Sequence, residues 1–359
     1  MLDLNFYKDK TVLVTGHTGF KGTWLCKMLL SAGAKVIGYA LNPPTDPNLF
    51  VLSGIESRMV SVIGDIRDFR ALNEVFDRYQ PECVLHLAAQ PLVRDSYKMP
   101  KYTYETNVLG TVNVLECVRL HSCVKSFLNV TTDKVYRNDD LPDHPFGEDE
   151  PLDGYDPYSN SKSCSELVTH SYRKSFFQDG RCAISTARAG NVIGGGDFAT
   201  DRIIPDCIRA VEQSKPIVVR NPYSTRPYQH VLEPLYIYLE IVEKQYVDRK
   251  YEGYYNVGPD DCDCVNTGDL VTMFCQHWGK GSSWINLHDG GPHEAAFLKL
   301  NNQKIKDVFG WVPRWHIDEC MEKIIEWTKV YFECPKRIPE EMEREIDEFL
   351  NGLCRKSGI

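Results

Sequence analysis

The sequence lacks the segments that would carry the protein into or across a membrane. No stretch approaches the ~20 consecutive apolar residues of a membrane span, and residues 1–10 hold no apolar core of signal-peptide length. The 13 cysteines are scattered, without a CxxC motif, and the nearest pair is Cys262 and Cys264. We therefore expect reduced thiols in a cytoplasmic protein. No Cys/His cluster has metal-ligand spacing, so no zinc site is expected.

The chain also has fewer basic than acidic residues. Lys and Arg number 41 against 50 Asp and Glu, which gives a formal net charge of −9. A net acidic chain is a poor match for a nucleic-acid partner, although a few local cations suffice for a phosphorylated small molecule. The 359 residues are 42% hydrophobic and 25% charged, as is ordinary for a globular protein with a sizeable core.

The first half of the chain alternates short apolar runs with longer periodic segments. The apolar runs predict strands at residues 11–15, 36–40, 60–63, 83–87, 127–131 and 183–187. Helix-length patterns at residues 20–31, 69–79 and 102–121 lie between them. This alternation predicts parallel βαβ units, and thus an α/β fold with a Rossmann-type doubly wound parallel sheet.

A glycine-rich loop follows the first predicted strand. Gly16, Gly19 and Gly22 are spaced three apart, directly before the first predicted helix. Glycines there let backbone N–H groups approach a pyrophosphate at a helix N-terminus, so the loop predicts a dinucleotide site. His17 and Lys21 add positive charge that either helps to bind an anion or is simply solvated.

Two further strand ends are placed to meet a dinucleotide. Asp65 and Ile66 follow the third strand, where an adenine would lie, and residues 87–90 bring small side chains after the fourth. Ordinary strand-end packing is the alternative for both. The second strand ends without the acidic residue that grips a ribose diol or the arginine that selects a 2′-phosphate. The residues therefore do not decide between NAD and NADP, and they indicate a modest affinity for the cofactor.

The regular alternation of predicted strands and helices ends after Gly190. We predict that residues 1–189 form the NAD-binding Rossmann domain, with a returning segment near 225–258 that adds a strand at 254–257. Residues 190–335 are predicted to form mainly a smaller C-terminal substrate-binding domain. Residues 336–359 are predicted to be an acidic terminal helix, solvated over 340–350.

A YxxxK motif carries the predicted chemistry. Tyr158 and Lys162 lie one turn apart on a predicted helix, so they share a face. A nearby ammonium lowers the pKa of a phenol, which predicts a phenolate base usable near neutral pH. Thr132 follows a strand upstream, where its hydroxyl can bind the oxygen that the tyrosine deprotonates.

Seven segments together resemble the extended short-chain dehydrogenase/reductase superfamily and, within it, the family of CDP-glucose 4,6-dehydratases. The resemblance covers nearly the whole chain. Its segments are residues 15–22, 64–68, 88–94, 154–162, 188–197, 220–227 and 292–295. Residues 132–137, Thr-Asp-Lys-Val-Tyr-Arg, depart from the Ser, then Asp-Lys-Cys-Tyr-Asp, that is more common there. The hydroxyl is kept, so this departure affects fine substrate positioning rather than the reaction.

The resemblance implies an internal redox reaction with NAD on CDP-glucose, a step of deoxysugar biosynthesis such as that for lipopolysaccharide O-antigen. Tyr158 and Lys162 would deprotonate the sugar C4 hydroxyl, with Thr132 bound to its oxygen. Lys134 would then take the C5 proton, and Asp133 would protonate the departing C6 hydroxyl. The implied cofactor-binding residues are Gly16, His17, Thr18, Gly19, Phe20, Lys21, Gly22, Asp65, Ile66, Leu87, Ala88, Ala89, Gln90, Asn107, Tyr158, Lys162 and Arg188. Arg226 is the strongest candidate for the substrate diphosphate, and the weaker candidates are Asn191, Arg202, Arg220 and His293.

Two other functions remain open. A nucleotide-sugar epimerase or reductase would share the glycine loop and YxxxK without needing the Asp133-Lys134 pair. A non-catalytic NAD sensor on the same fold could dispense with Tyr158 and Lys162.

The predicted helices at residues 102–121 and 158–177 carry apolar residues at helical spacing, such as Val108, Val112, Leu115 and Val118. In the family, such helices pair as a four-helix bundle across a homodimer, whereas packing within one chain is the alternative.

Overall fold

The computed structural model describes residues 1–141, 143–279, 281–287, 291 and 295–352. In chain order its strands are β1 (Thr11–Thr15), β2 (Lys35–Ala40), β3 (Val60–Ile63), β4 (Cys83–His86), β5 (Ser126–Thr132), β6 (Pro145–Phe146), β7 (Ala183–Ala189), β8 (Asn191–Ile193), β9 (Ile217–Val219), β10 (Thr225–His230), β11 (Tyr254–Val257), β12 (Cys264–Asn266), β13 (Trp284–Asn286) and β14 (Lys299–Leu300).

The helices lie mostly between these strands. In chain order they are α1 (Phe20–Ser31), α2 (Leu49–Leu52), α3 (Phe69–Tyr79), α4 (Val93–Lys98), α5 (Pro100–Tyr104), α6 (Gly110–Leu120), α7 (Pro157–Phe176), α8 (Ile203–Glu212), α9 (Leu232–Val247), α10 (Thr267–Trp278), α11 (Gln303–Phe309), α12 (Ile317–Glu333) and α13 (Ile338–Asn351).

Seven parallel strands form the central sheet, in the order β11-β7-β5-β4-β1-β2-β3. The chain runs outward from β1 to β3 and then returns to the other side of β1 with β4. The predicted doubly wound parallel sheet is therefore confirmed, and its strand order reverses between β1 and β4. A crevice at that reversal is where such folds bind ligands.

Helices cover both faces of the sheet. Val12 and Val14 of β1 are buried in one apolar cluster with α1, α9 and α13. Leu13, which points to the opposite face because side chains alternate along a strand, is buried in another cluster with α3 and α6. This double burial explains why the central strands read as nearly continuous apolar runs.

Smaller sheets extend the fold beyond β7. One has the order β12-β10-β8, and β13 pairs with β9 while β14 pairs with β6. A third apolar cluster, which includes Ile204, Leu270, Phe274 and Met321, packs α8, α10 and α12 together. The division into domains at residues 189 and 335 stays a prediction.

The helix expected over residues 102–121 is interrupted. A π-helical turn, Glu105–Leu109, joins α5 to α6, and such turns often occur at functional sites. Leu115 and Val118 lie in the core of the chain itself, so our placing of these two side chains at a dimer interface is wrong. Leu109, by contrast, is 55% exposed.

The C-terminal segment is helical over Ile338–Asn351, as expected, but it is not simply solvated. Met342, Ile346 and Phe349 are buried against the core, because this helix is amphipathic rather than acidic all round. Residues 353–359 lie outside the described residues. Across the described residues, no helix is both long and apolar enough to cross a membrane.

Candidate active site

A cleft of about 740 Å³ opens at the carboxyl ends of the central strands. It is lined by side chains from the end of β5, the start of α7 and the segments around β8 to β10. The predicted site residues that line it are Lys21, Thr132, Asp133, Lys134, Tyr158, Asn191, Arg202, Arg220 and Arg226. The fold thus brings these nine residues into one cleft, while the predicted catalytic Lys162 is not among the residues that line it.

The glycine loop forms a tight cradle beside this cleft. Gly16 has a φ of +79°, and a Cβ there would lie 2.8 Å from the backbone nitrogen of Ala88. A Cβ at Gly22 would lie 2.1 Å from the Gly16 carbonyl oxygen. Gly19 precedes α1, whose N-terminus has no side-chain cap. These features fit the pyrophosphate of a dinucleotide, which would meet the uncapped helix end.

Side chains of the same loop fasten it to its surroundings. The Thr18 hydroxyl donates a 2.8 Å hydrogen bond to the Leu41 carbonyl oxygen, just past β2. The Phe20 ring lies 3.1 Å from where a Cβ at Gly194 would stand. These two side chains help to hold the loop in place, together with backbone hydrogen bonds from Gly16 to Tyr39 at 2.9 Å and from Gly19 to Gly16 at 3.2 Å.

His17 does not supply the charge that we expected. Its ring is fully buried, only 2.3 Å from where a Cβ at Gly38 would stand, and its Nε2 lies 2.8 Å from the Ser61 Oγ. Burial lowers the pKa of His17 to about 4, so the imidazole is neutral near pH 7. Both alternatives for this side chain, anion binding and solvation, are wrong.

Lys21 lines the cleft. Burial, together with the nearby Arg202 and Lys162, lowers the pKa of Lys21 to about 7. Lys21 and Arg202 both line the cleft, where two cations favour an anionic ligand, and Asp133 and Asp197 offset part of their repulsion. Lys21 is only half-buried, so anion binding by this side chain stays a prediction beside the solvated alternative.

The segment of residues 87–90 is fixed at both ends. The N–H groups of Leu87 and Ala88 each donate a 3.2 Å hydrogen bond to the Thr15 hydroxyl. The buried amide of Asn107 accepts a 2.8 Å bond from the Gln90 N–H and donates a 3.1 Å bond to the Gln90 carbonyl. Asn107 thus holds the backbone of the cofactor-facing segment.

The remaining predicted cofactor residues lie at strand ends. Ala89 is half-buried within the segment just described. Asp65 binds Arg67 at 2.7 Å, and hydrogen bonds from Arg67 hold the pKa of the Asp65 carboxyl below its usual value. Ile66 is buried against Gly110. Contact of Asp65 and Ile66 with an adenine stays a prediction.

Thr132 and Asp133 form the inner wall of the cleft. The Thr132 hydroxyl donates a 2.8 Å hydrogen bond to Asp133 Oδ1. Asp133 is 1% exposed, and its Oδ2 has no hydrogen-bond partner among the described residues. Such a buried oxygen is costly unless a ligand or a proton satisfies it. Lys134 lines the same cleft, next in the chain.

Tyr158 and Lys162 lie at the start of α7, where the Asp156 side chain caps the helix. Burial raises the pKa of Tyr158 to about 12, although hydrogen bonding with Thr132 acts in the opposite direction. The Lys162 ammonium donates a 3.1 Å bond to the Val130 carbonyl, and burial lowers the pKa of Lys162 to about 8. With a pKa of about 12, the Tyr158 phenol is mostly protonated near neutral pH, and its role as a phenolate base stays a prediction.

Arg188 lies away from the cleft. Its guanidinium donates to the Tyr136 hydroxyl and the Glu148 carbonyl at 2.8 Å, and to Glu166 Oε2 at 3.0 Å. Arg188 and Glu166 are both at least 95% buried, so each supplies the counter-charge that the other requires. Our assignment of Arg188 to cofactor binding is wrong for this reason.

Two of the predicted substrate-binding arginines pair with acidic side chains. Arg202, which precedes α8, binds Asp197 at 2.9 Å. Arg220 binds Asp201 at 2.5 Å. Both arginines line the cleft, where these ion pairs hold the guanidinium groups in fixed positions for a diphosphate.

Arg226 and Asn191 lie on neighbouring strands of one small sheet. The Arg226 guanidinium donates to the carbonyl oxygens of Thr225 at 2.8 Å and Ala295 at 2.6 Å. Asn191 begins β8, opposite Tyr228 of β10. The predicted His293 lies outside the described residues.

Arg94 and Asp197 also line the cleft, but the sequence analysis assigned neither a role. Arg94 ends one of the segments that carried the resemblance, which was the sequence signal for it, and it lies in the first turn of α4. Asp197 follows a run of three glycines, and its pairing with Arg202 had no sequence signal.

Cys262, Asp263 and His316 form a group whose donor atoms lie within 4.8 Å of one another, which the sequence spacing did not reveal. Asp263 accepts hydrogen bonds from His316 Nδ1 and from the Ile317 N–H, both at 2.9 Å. These bonds anchor the start of α12, which accounts for the group without a metal ion.

Comparison with known proteins shows similarity to nucleotide-sugar dehydratases and epimerases. The family model described as GDP-mannose 4,6 dehydratase matches residues 13–324. A CDP-glucose 4,6-dehydratase of Salmonella typhimurium is 44% identical over 365 residues, which cover 99% of this chain and 100% of that protein. A CDP-paratose 2-epimerase of Salmonella typhi is 26% identical, with 88% of this chain and 98% of that protein covered.

Solved structures with the same fold include dehydratases and epimerases. A dTDP-glucose 4,6-dehydratase from Bacillus anthracis in complex with NAD matches with a TM-score of 0.74 and 21% identity, covering 92% of this chain and 99% of that one. A UDP-glucose 4-epimerase from Thermotoga maritima with UDP-glucose matches with a TM-score of 0.76 and 19% identity, covering 90% and 99%.

Proposed function

The chain belongs to the GDP-mannose 4,6 dehydratase family, and we propose that it is an NAD-dependent hydro-lyase that converts CDP-D-glucose to CDP-4-keto-6-deoxy-D-glucose and water. The observation that carries this proposal is the set Thr132, Asp133, Lys134 and Tyr158 in one cleft. An acid and a base beside a tyrosine are what loss of water next to a sugar oxidation requires.

The residues around the glycine loop would hold NAD. The cradle at Gly16 and Gly22 leaves no room for side chains, and the uncapped start of α1 offers N–H groups to a pyrophosphate. When bound, NAD would supply the temporary acceptor for the hydride that leaves C4 of the sugar and is later added at C6. Use of the same cofactor for both steps would leave it unchanged after each turnover.

The first step would remove the C4 hydroxyl proton. Tyr158 would accept it, with the Thr132 hydroxyl bound to the same oxygen. Because the pKa of Tyr158 is about 12, the phenol must first release its own proton to solvent, and the minor phenolate form would then accept the C4 hydroxyl proton. Lys162 is buried behind Tyr158 on the same helix face, where its positive charge would favour phenolate formation.

The second step would eliminate water. The C4 ketone acidifies the C5 proton, and Lys134, as the neutral amine, would remove it. Asp133 would donate a proton to the C6 hydroxyl as it leaves, from the Oδ2 atom that has no partner among the described residues. Lys134, now protonated, would return a solvent-exchanged proton to C5 as hydride is added at C6. Asp133 would regain a proton through solvent, which balances the one that Tyr158 took from the C4 hydroxyl and releases there.

The substrate diphosphate would bind the arginines across the cleft. Arg202 and Arg220 are held by Asp197 and Asp201, and Arg226 lies on the adjacent β10. A guanidinium matches phosphate oxygens in a bidentate geometry. The choice of CDP among nucleotides rests on the 44% identity to the Salmonella typhimurium enzyme.

We also propose that two copies pair through α6 and α7 as a four-helix bundle. Leu109 at the start of α6 is 55% exposed and Leu167 on α7 is 53% exposed. Glutamate at both positions should yield a monomer in sedimentation, whereas an unchanged dimer would contradict this pairing. The cysteines of the described residues are free thiols, in keeping with our proposal of a reducing cytoplasm.

The test is incubation with NAD and, separately, CDP-, UDP-, GDP- or dTDP-glucose, followed by mass spectrometry. Loss of one water from CDP-glucose, absent with Tyr158→Phe, is the expected result. A product with the mass of the substrate would favour an epimerase. Reaction of another nucleotide sugar alone would contradict the CDP assignment.

A further inference from the structure

His86, at the end of β4, links the two sets of hydrogen bonds that hold residues 87–90. We call these two sets, one at Thr15 and one at Asn107, the clamps. The His86 Nδ1 lies 2.7 Å from the Thr15 hydroxyl, which accepts the N–H groups of Leu87 and Ala88. Its Nε2 lies 3.2 Å from the Thr111 hydroxyl. Thr111 in turn donates a 2.7 Å bond to the carbonyl oxygen of Asn107, the residue that fixes Gln90.

The directions of these hydrogen bonds follow from counting donors. The Thr15 oxygen accepts from two backbone N–H groups, so its own hydrogen is left to bond His86 Nδ1. The Thr111 hydrogen is already bonded to Asn107, so the Thr111 oxygen must accept from His86 Nε2. The only tautomer that satisfies both contacts carries its proton on Nε2.

A third hydroxyl, that of Ser165, favours the same hydrogen-bond directions. Ser165 on α7 lies 3.0 Å from the Thr111 hydroxyl and accepts a 2.9 Å bond from the Asn129 amide. Its hydrogen is therefore free to bond Thr111, whose oxygen then accepts from both Ser165 and His86. All three hydroxyls are at least 99% buried, where an unmatched donor would be costly.

The charge state of His86 agrees with this geometry. Burial, with a smaller contribution from Lys162, lowers the pKa of His86 to about 3. A protonated ring would place an N–H against the only hydrogen that Thr15 can donate. The neutral ring is therefore the form that keeps the whole chain of bonds intact.

The clamps affect the predicted cofactor site because they fix the backbone against which the glycine loop packs. A Cβ at Gly16 would lie 2.8 Å from the Ala88 nitrogen, so the glycine loop rests on the peptide that Thr15 holds. At the other end, Asn107 sits in the π-helical turn between α5 and α6. His86 is the side chain that connects β1, β4 and this turn.

We propose that His86 is a positioning residue for the dinucleotide: as the neutral Nε2–H tautomer, it sets the backbone of residues 87–90 against the glycine loop. This inference rests on the proposed function for the identity of the dinucleotide. His86 itself contacts no reacting atom in this scheme.

The variant His86→Leu keeps an apolar volume but breaks both contacts. Its NAD dissociation constant, measured by calorimetry, should rise about tenfold, while the dissociation constant for CDP stays within about twofold. The control Thr169→Val removes a buried hydroxyl that accepts the Asn129 amide at 2.9 Å but does not touch residues 87–90. It should lower the melting temperature and leave NAD affinity unchanged.

Equal NAD affinity in His86→Leu and the wild type would overturn the inference. A loss of NAD affinity in Thr169→Val as large as that in His86→Leu would also overturn it. Wild-type protein that binds no NAD would contradict the proposed function as well. The ¹⁵N spectrum of histidine-labelled wild type, assigned by loss of a signal in His86→Leu or Thr111→Val, gives a second readout. A protonated Nε2 and bare Nδ1 support the inference, and the opposite tautomer overturns it.

Discussion

The Thr132 hydroxyl donates a 2.8 Å hydrogen bond to Oδ1 of Asp133, and this leaves Asp133 Oδ2 as the buried oxygen without a partner among the described residues. The two residues end β5 and begin the turn that follows it. Thr132 therefore orients the carboxyl so that one buried oxygen has no hydrogen-bond partner among the described residues. This arrangement suits a group that must hand a proton to a leaving hydroxyl.

Asp133→Asn should stop water loss without stopping oxidation at C4. The amide still accepts from Thr132, but it cannot act as a proton donor of comparable acidity, so elimination should slow by about 10²–10⁴-fold. Rapid-mixing absorbance should then show reduced cofactor that persists on the protein. Asp149→Asn, at an exposed site beside Tyr254, is the control, and equal slowing there would count against this role.

Lys134→Ala separates the second proton transfer from the first. Without the amine, the C5 proton should stay on the sugar, while C4 oxidation continues. Solvent exchange at C5, followed by proton NMR, should fall by about 10²-fold or more. If exchange continues at the wild-type rate, another base removes this proton.

Activity should depend on pH through Tyr158 and Lys162. Burial raises the pKa of Tyr158 to about 12, so the phenolate fraction grows tenfold per pH unit below that value. Burial lowers the pKa of Lys162 to about 8, above which its charge no longer favours the phenolate. We expect kcat to rise from about pH 6 to about pH 8 and then to level off. A steady rise to about pH 10 would show that the charge of Lys162 is not needed.

Replacing Lys21 with Met should stabilise the fold at low pH. The pKa of Lys21 is lowered to about 7, below its unfolded value. Below pH 7 the side chain is therefore charged in both the folded and the unfolded state, and burying that charge lowers the free energy of unfolding by its full amount. That cost fades as pH rises towards the unfolded pKa of about 10.4. Urea unfolding should show a gain of about 2 kcal/mol at about pH 6 that disappears near pH 10. The exposed Lys35→Met is the control, and a gain that grows with pH would contradict the sign.

Arg188→Met should damage stability rather than cofactor binding. It leaves Glu166 buried without its counter-charge, which costs about 3–5 kcal/mol in the free energy of unfolding. Adding Glu166→Gln should recover part of that loss. The NAD dissociation constant should change by less than about twofold. A weaker NAD affinity with unchanged stability would restore Arg188 to the cofactor site.

Much of the fold could be predicted because strands buried on both faces leave a strong pattern. Residues 11–15 and 60–63 were predicted with the observed bounds, and the returning strand at 254–257 pairs with β7 as expected. The π-helical turn at Glu105–Leu109 could not be predicted, because one extra residue in a turn leaves the apolar spacing nearly unchanged.

Which residues line the candidate active site could largely be predicted from the sequence, whereas the protonation states of their side chains could not. The order of glycine loop, strand-end threonine and YxxxK placed Thr132 and Tyr158 in one cleft. The sequence could not show that burial raises the pKa of the Tyr158 phenol, or that His17 turns inward against Gly38. Desolvation depends on neighbours that are distant in the chain, and it decides both outcomes.

The most direct test of the account is the reaction with CDP-glucose and NAD in deuterated water. The predicted product is a CDP-4-keto-6-deoxy sugar with deuterium at C5, formed without net accumulation of NADH. That result would require C4 oxidation, C5 proton exchange and hydride return within one turnover. Net accumulation of NADH with CDP-glucose, and no loss of water, would contradict the dehydratase and indicate a simple dehydrogenase.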